Sequence, residues 1–217
     1  MDRKRKSRVF LIPMLVTTIL VGCAAPESPT PPPPLYEGLG ESGRDVTTDV
    51  DLAQAYFDQG LALSWGFNHD EALRSFEEAA RLDPDCAMAL WGQAYVLGPN
   101  LNRPMADDDV ARSAHEASTQ ALSMVDGTSE VERALIEAMA RRHADPPPED
   151  RTELDVVYAD AMREVWKRFP NDPVVGVLFA DALMNINLDW RAWGADEERG
   201  EYTPEIVATL ELSLIHI

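Results

Sequence analysis

Residues 53–86, AQAYFDQGLALSWGFNHDEALRSFEEAARLDPDC, decide how this chain folds. Apolar and small side chains recur three and four apart on both sides of Gly66-Phe67-Asn68-His69-Asp70, which is the period of two helices divided by a turn. Tyr56, Gly60 and Leu63 fall on the first helix and Ala72, Phe76 and Ala79 on the second. Small residues at Gly60 and Ala72 let two antiparallel helices approach closely while Tyr56 and Phe76 fill the space beside them. Asn68 is placed to cap the second helix, with Glu71 three residues on as a variant capping box, and Pro84 cannot continue that helix. One such hairpin cannot bury both of its faces, so neighbours are required.

Neighbours follow on both scales. Ala87 to Leu97 resumes the register with Leu90, Ala94 and Leu97, until Gly98-Pro99-Asn100 breaks it. Asp107 to Met124 is helical in period, Ser129 and Glu132 form a capping box for Val131 to His143, and Pro146-Pro147-Pro148 is a boundary. Beyond it, Tyr158, Met162, Val165 and Pro170 keep the spacing loosely, and Pro173 to Leu183 places Phe179, Ala180 and Leu183 like another first helix. The pattern of residues 53–86 resembles a tetratricopeptide repeat, a unit of about 34 residues, with degenerate units at 87–99 and 149–186. That resemblance implies an all-α array of antiparallel helix pairs over residues 51–211. It also implies that first helices line a concave, partner-binding surface, here Gln54, Phe57, Asp58, Leu61 and Trp65, then Met88, Trp91, Tyr95 and Asn102.

The run Ala62 to Ala72, with Gly98-Pro99-Asn100-Leu101-Asn102 after it, is similar to a group of bacterial secreted repeat proteins of undefined biochemical role, which are longer. Thr203 to Glu211 opens a further helix, and Leu212 to Ile217 resembles translated adapter sequence rather than a natural terminus. The expectation is an N-terminal fragment of a larger protein, the alternative a true apolar C-terminus.

The N-terminus carries a second signal. Asp2 to Arg8 is basic, Val9 to Val21 is an apolar run of thirteen residues, and Leu20-Val21-Gly22-Cys23 closes it. A bilayer span needs about 20 apolar residues, so the run fits a signal-peptide core instead. The succession resembles a lipoprotein signal, which implies cleavage after Gly22 and lipidation of Cys23; an ordinary secretory peptide cut near Ala24-Ala25 is the alternative. Ala24, rather than Asp, after the cysteine implies the outer membrane facing the periplasm if the source is Gram-negative. Residues 23–50, rich in Pro and Gly, are expected to be a disordered tether.

The chain's formal net charge is −19, and without residues 1–22 it is about −23. Such a surface repels nucleic acid and favours cationic partners. Cys86 is the one cysteine besides Cys23 and fits a small buried position in a helical pattern. His69, His115 and His143 lack metal-ligand spacing, no nucleophile or phosphate-loop motif is present, and no cofactor or metal is implied. The expected function is therefore non-enzymatic: a lipid-anchored scaffold in the cell envelope, gripping a protein or peptide of apolar and basic character. Its groove would be formed by Phe57, Asp58, Leu61, Trp65, Trp91, Tyr95 and Asn102, unless those aromatics pack internally. The alternative is the helical N-terminal part of a larger secreted enzyme with its site further along the chain. Trp190 and Trp193 read as a loop folded back on the helices. Metabolic labelling with palmitate is expected to mark the wild-type chain and to miss Cys23→Ala; label retained by that variant rules out the lipid anchor.

Overall fold

A computed structural model describes residues 31–40, 43–103, 107–186 and 200–214. Among them are eight α-helices and no strand: α1 (Asp51–Trp65), α2 (His69–Leu82), α3 (Ala87–Leu97), α4 (Asp108–Ser123), α5 (Glu130–Met139), α6 (Thr152–Arg168), α7 (Pro173–Ile186) and α8 (Thr203–Leu214). The fold of these residues is all-α, and each helix from α1 to α7 packs on the next described one, with α7 also on α8. None of the described helices is long and apolar enough to cross a membrane. The expectations for Cys23, Trp190 and Trp193 lie outside the described residues.

Local chemistry sets the helix ends. Ser129 and Glu132 form the expected capping box of α5, and Pro173 occupies the first turn of α7, where its missing N–H costs nothing. Asn68 does precede α2, but its side chain makes no capping hydrogen bond. α5 stops at Met139, short of the expected His143. Arg141 and Arg142 then donate their backbone N–H groups to Ala138 and Met139, a tight turn that carries Arg142 and His143 off the helix into the interior.

The core of the first three helices is organised around Phe76 of α2. A Cβ built on Gly60 of α1 would lie 2.7 Å from Phe76 Cε1, and one on Gly92 of α3 would lie 2.5 Å from the same atom. The ring therefore occupies space on two helices that no other residue type leaves open. Ala72 is fully buried as expected, but the residue that needs Gly60 is Phe76 rather than Ala72. Phe57 meets the ring at 5.5 Å between centroids and 58° between planes, a tilted aromatic pair.

Most of the described part of the expected tether, residues 33–40 and 43–50, is a correction: it packs on the helices. Pro33 and Pro34 carbonyls accept from Tyr56 Oη (2.8 Å) and Gln59 Nε2 (3.1 Å). Tyr36 N donates to Gln59 Oε1, Arg44 N to Asp58 Oδ1 and Val46 N to Gln54 Oε1. Arg44 pairs with Asp172 at 2.8 Å, its side chain only 8% exposed, and Thr47 donates to both oxygens of Glu132. Composition suggested disorder because it counts apolar groups; this segment is held by polar side chains that satisfy its backbone.

Gly92→Ala sets helix propensity, a gain of up to about 1 kcal/mol, against a clash with a ring that cannot retreat towards Gly60. The clash is expected to win, lowering stability by about 1–3 kcal/mol in urea unfolding, with Phe76→Leu in the same chain recovering part of the loss. Additive single-mutant effects would show that the ring is not the obstacle.

Candidate functional site

The seven residues expected to form a groove do not share one fate. Phe57 and Leu61 are fully buried and Trp91 is 1% exposed, with its Nε1 donating to the Leu135 carbonyl at 3.2 Å. These three are core, a correction that follows from their size: large aromatics offer the most area to bury once a neighbouring helix covers them. Asp58 is half-buried and spends its carboxylate on Arg44 N and Gln54 Nε2. Gln54, Asp58, Leu61 and Trp65 form one stripe of α1, and the chain's own residues 44–46 take its first half.

The remaining pair, Trp65 and Tyr95, both half-buried, comes together at one cavity, with exposed Asn102 in the turn beside it. The cavity holds about 190 Å³ between the end of α1, the α1–α2 turn, the end of α3 and the inner side of α7, with Leu210 of α8. Leu101, Val177 and Met184 supply apolar wall; His69, Arg142 and Asp181 supply polar groups that sequence spacing had not grouped.

Arg142 is the centre of the polar part. It is 1% exposed, its Nη2 donates to the Pro99 carbonyl at 2.6 Å, and its guanidinium lies 4.7 Å from the Tyr158 ring centroid and 5.5 Å from that of Tyr95. Tyr95 stacks in turn on Trp91, with centroids 5.4 Å apart and planes at 6°. These rings fix the guanidinium in place, yet among the described residues it forms no ion pair within 4.0 Å. Its Nη1 has no hydrogen-bond partner, and neither do Trp65 Nε1 or the two ring nitrogens of His69. Tyr95 Oη reaches Asp181 Oδ2 at 3.4 Å, a long contact.

Burial dominates the electrostatics. It pushes the Asp181 carboxyl up, with Arg142 opposing, and drives Tyr95 well above the ordinary phenol value and Tyr158 up to about 12. His69 is lowered by burial, then by Arg103. His143, 7% exposed, is held well below the ordinary histidine value by burial and then by the Arg142 and Arg151 charges. Cys86, 1% exposed, has its thiol pushed up by burial, which makes it a poor nucleophile.

At the cavity's mouth stands Phe67, 55% exposed. Phe67 N donates to the Ser64 carbonyl and Asn68 N to the Leu63 carbonyl, the Schellman ending of a helix, with Phe67 at the left-handed position (φ 59°) usually held by glycine. Its ring stands edge-on to His69, with centroids 5.9 Å apart.

Larger depressions lie elsewhere. One, between α5 and α6, holds about 500 Å³ and is lined by Arg163, Arg168, Asp160 and other charged residues. Arg163 there already pairs with Asp160 and Glu205, and Arg168 with Glu130. A second, about 590 Å³ around Arg44 and Asp172, contains the ion pair that holds the N-terminal segment, and a third, about 250 Å³, lies between that segment and α1. Among the residues lining these three, Arg44 Nε alone is a buried polar atom without a hydrogen-bond partner.

The histidine makes a pH prediction. His143 binds fewer protons folded than unfolded, so its contribution to stability is lost as pH falls below about 6.5. The raised carboxyls of Asp58 and Asp181 act in the opposite sense, their contribution fading as pH rises from the ordinary 3.8 through their folded values. His143→Gln, which retains a donor for the Ala94 carbonyl, isolates the first effect. Its unfolding midpoint is expected to fall less than the wild type's between about pH 7.5 and 5.5; parallel profiles would mean that His143 is not held neutral.

No family model matches this chain, and no curated protein or solved structure matches it.

Proposed function

We propose that this chain is a non-enzymatic binding module of tetratricopeptide type, held in the bacterial cell envelope by lipid on Cys23, which grips a protein or peptide partner at the rim of the Trp65–Tyr95 cavity. The observation that carries the reading is Phe67. A bulky side chain in the left-handed region costs about 1–2 kcal/mol, and a ring 55% exposed recovers little of that by burial. Backbone strain of this kind concentrates at sites of function. An exposed aromatic beside half-buried Trp65 and the apolar cavity wall suits an apolar anchor residue, and the acidic surface favours a basic segment around it. The basic, apolar and Leu-Val-Gly-Cys succession of residues 2–23 supports the anchor, and the glycine–Phe76 packing of α1, α2 and α3 supports the repeat.

Phe67→Gly separates function from stability. Glycine suits the position, so the variant is expected to melt about 2–4 °C higher than wild type. A photo-crosslinking residue at exposed Asn102 is expected to yield a discrete protein adduct in cells when Phe67 is present and none with Phe67→Gly. Adducts that persist in the variant, or their absence from both chains, would refute the partner site.

A further inference from the structure

We propose that the cavity between α1, α3 and α7 is a binding site for a small free monocarboxylate with a short branched or linear apolar body. The inference shares a location with the partner site above but does not depend on a partner.

The argument begins with Arg142. A guanidinium removed from water is costly unless an anion compensates it. Arg142 is 1% exposed and among the described residues has no carboxylate within 4.0 Å, only the Pro99 carbonyl and two aromatic faces; the Asp181 and Asp155 charges act on it from beyond that distance. Its position is nevertheless fixed from both sides, because Nη2 is tied to Pro99 and Arg151 Nη2 donates to the Arg142 carbonyl at 3.0 Å. That leaves Nη1 without a protein acceptor at the wall of a cavity. Trp65, which lines the same cavity, carries in Nε1 a second donor with no acceptor, and His69 can supply a third. Three donors from three separate segments, all in residues that line one cavity, are thus without a protein acceptor.

The rest of the cavity narrows the class. Leu101, Val177, Met184 and Leu210 make much of the lining apolar, so the anion must carry a hydrocarbon body. At about 190 Å³ the space is equivalent to about six waters, below the size of a drug-like pocket, which limits the ligand to a few heavy atoms beyond the carboxylate. Asp181 weighs against a dianion such as phosphate: its carboxyl lines the same cavity. Raised by burial, it tolerates one negative charge beside it more readily than two.

Calorimetric titration of the full chain with 4-methylpentanoate tests the site, with 4-methylpentanamide, inorganic phosphate and acetyl-glutamyl-methylamide as comparison probes. The free acid is expected to bind, and each of the others to bind at least about tenfold more weakly. Trp65→Phe keeps the ring's bulk and removes one donor, and is expected to weaken the acid about tenfold; Arg142→Gln is expected to weaken it about a hundredfold or more. Should Arg142→Gln fail to fold, Trp65→Phe still decides. No binding of the acid, equal binding of its amide, a preference for phosphate, or an unchanged affinity in Trp65→Phe would each overturn the proposal. Equal or tighter binding of the glutamyl probe would overturn the free-acid source and point to a partner's side chain. Acid binding that survives while the Asn102 adduct is absent would refute the partner alone.

Discussion

The Phe76 ring, caught between two positions where only glycine fits, is the constraint on which the rest of the structure depends. With Gly60 on one side and Gly92 on the other, α2 cannot slide along α1 or α3 without driving a backbone into the ring. The ring thereby fixes the register of α1 against α3. That register brings Trp65, near the end of α1, and Tyr95, near the end of α3, to the same cavity although thirty residues separate them. A packing decision in the core of the first hairpin thus determines which side chains meet at its rim.

Polar groups do the corresponding work at the periphery. Glu132 caps α5 through Ser129, accepting from its N and Oγ at 2.8 and 2.6 Å, and the same carboxylate accepts from Thr47. Its carboxyl is held below the ordinary value by those hydrogen bonds, which outweigh burial. Asp172 likewise accepts from Val175 N at the start of α7 and pairs with Arg44. Each carboxylate satisfies a helix terminus and the N-terminal segment together, so that segment is positioned by groups the helices already need. Exposed pairs such as Arg112–Asp109 and Lys167–Glu164 contribute little by comparison, since exposed ion pairs are worth roughly 0–1 kcal/mol.

The helices were legible because their period is a local property. α1 to α4, α6 and α7 begin and end within a few residues of where spacing, prolines and acidic first turns put them. The site was less legible because it depends on which large residues a neighbour covers. Phe57, Leu61 and Trp91 occupy the same helical stripes as Trp65 and Tyr95, and nothing in the spacing distinguishes them; α2 and α5 do. Arg142, His69 and Asp181 were missed for a second reason, since they come from a helix exit, a turn and a helix interior with no common period. One signal was available for Arg142: Arg141-Arg142 is a cationic pair in a chain of net charge −19, shortly before a proline run. The Pro and Gly content of residues 31–50 misled in the opposite direction, because backbone satisfaction by Gln54, Asp58 and Gln59 leaves no trace in composition.

Two features of the cavity reduce stability, and they sit next to each other. Phe67 occupies a backbone conformation that glycine would adopt without strain, and Arg142 holds a charge in a place where a long apolar side chain would meet Tyr95 and Tyr158 at no electrostatic cost. Neither residue can be explained by the fold, since the helix ending requires only the left-handed turn and the core requires only volume. The Phe76 packing shows the opposite economy, with one edge of the ring set against both Gly60 and Gly92. A chain that meets its packing needs so closely in the first hairpin, yet tolerates strain at Phe67 and a buried cation without an ion-pair partner within 4.0 Å at Arg142, has its cost concentrated at this cavity. That contrast is the physical ground for proposing a site at this cavity, and it does not draw on the groove expected from the repeat pattern.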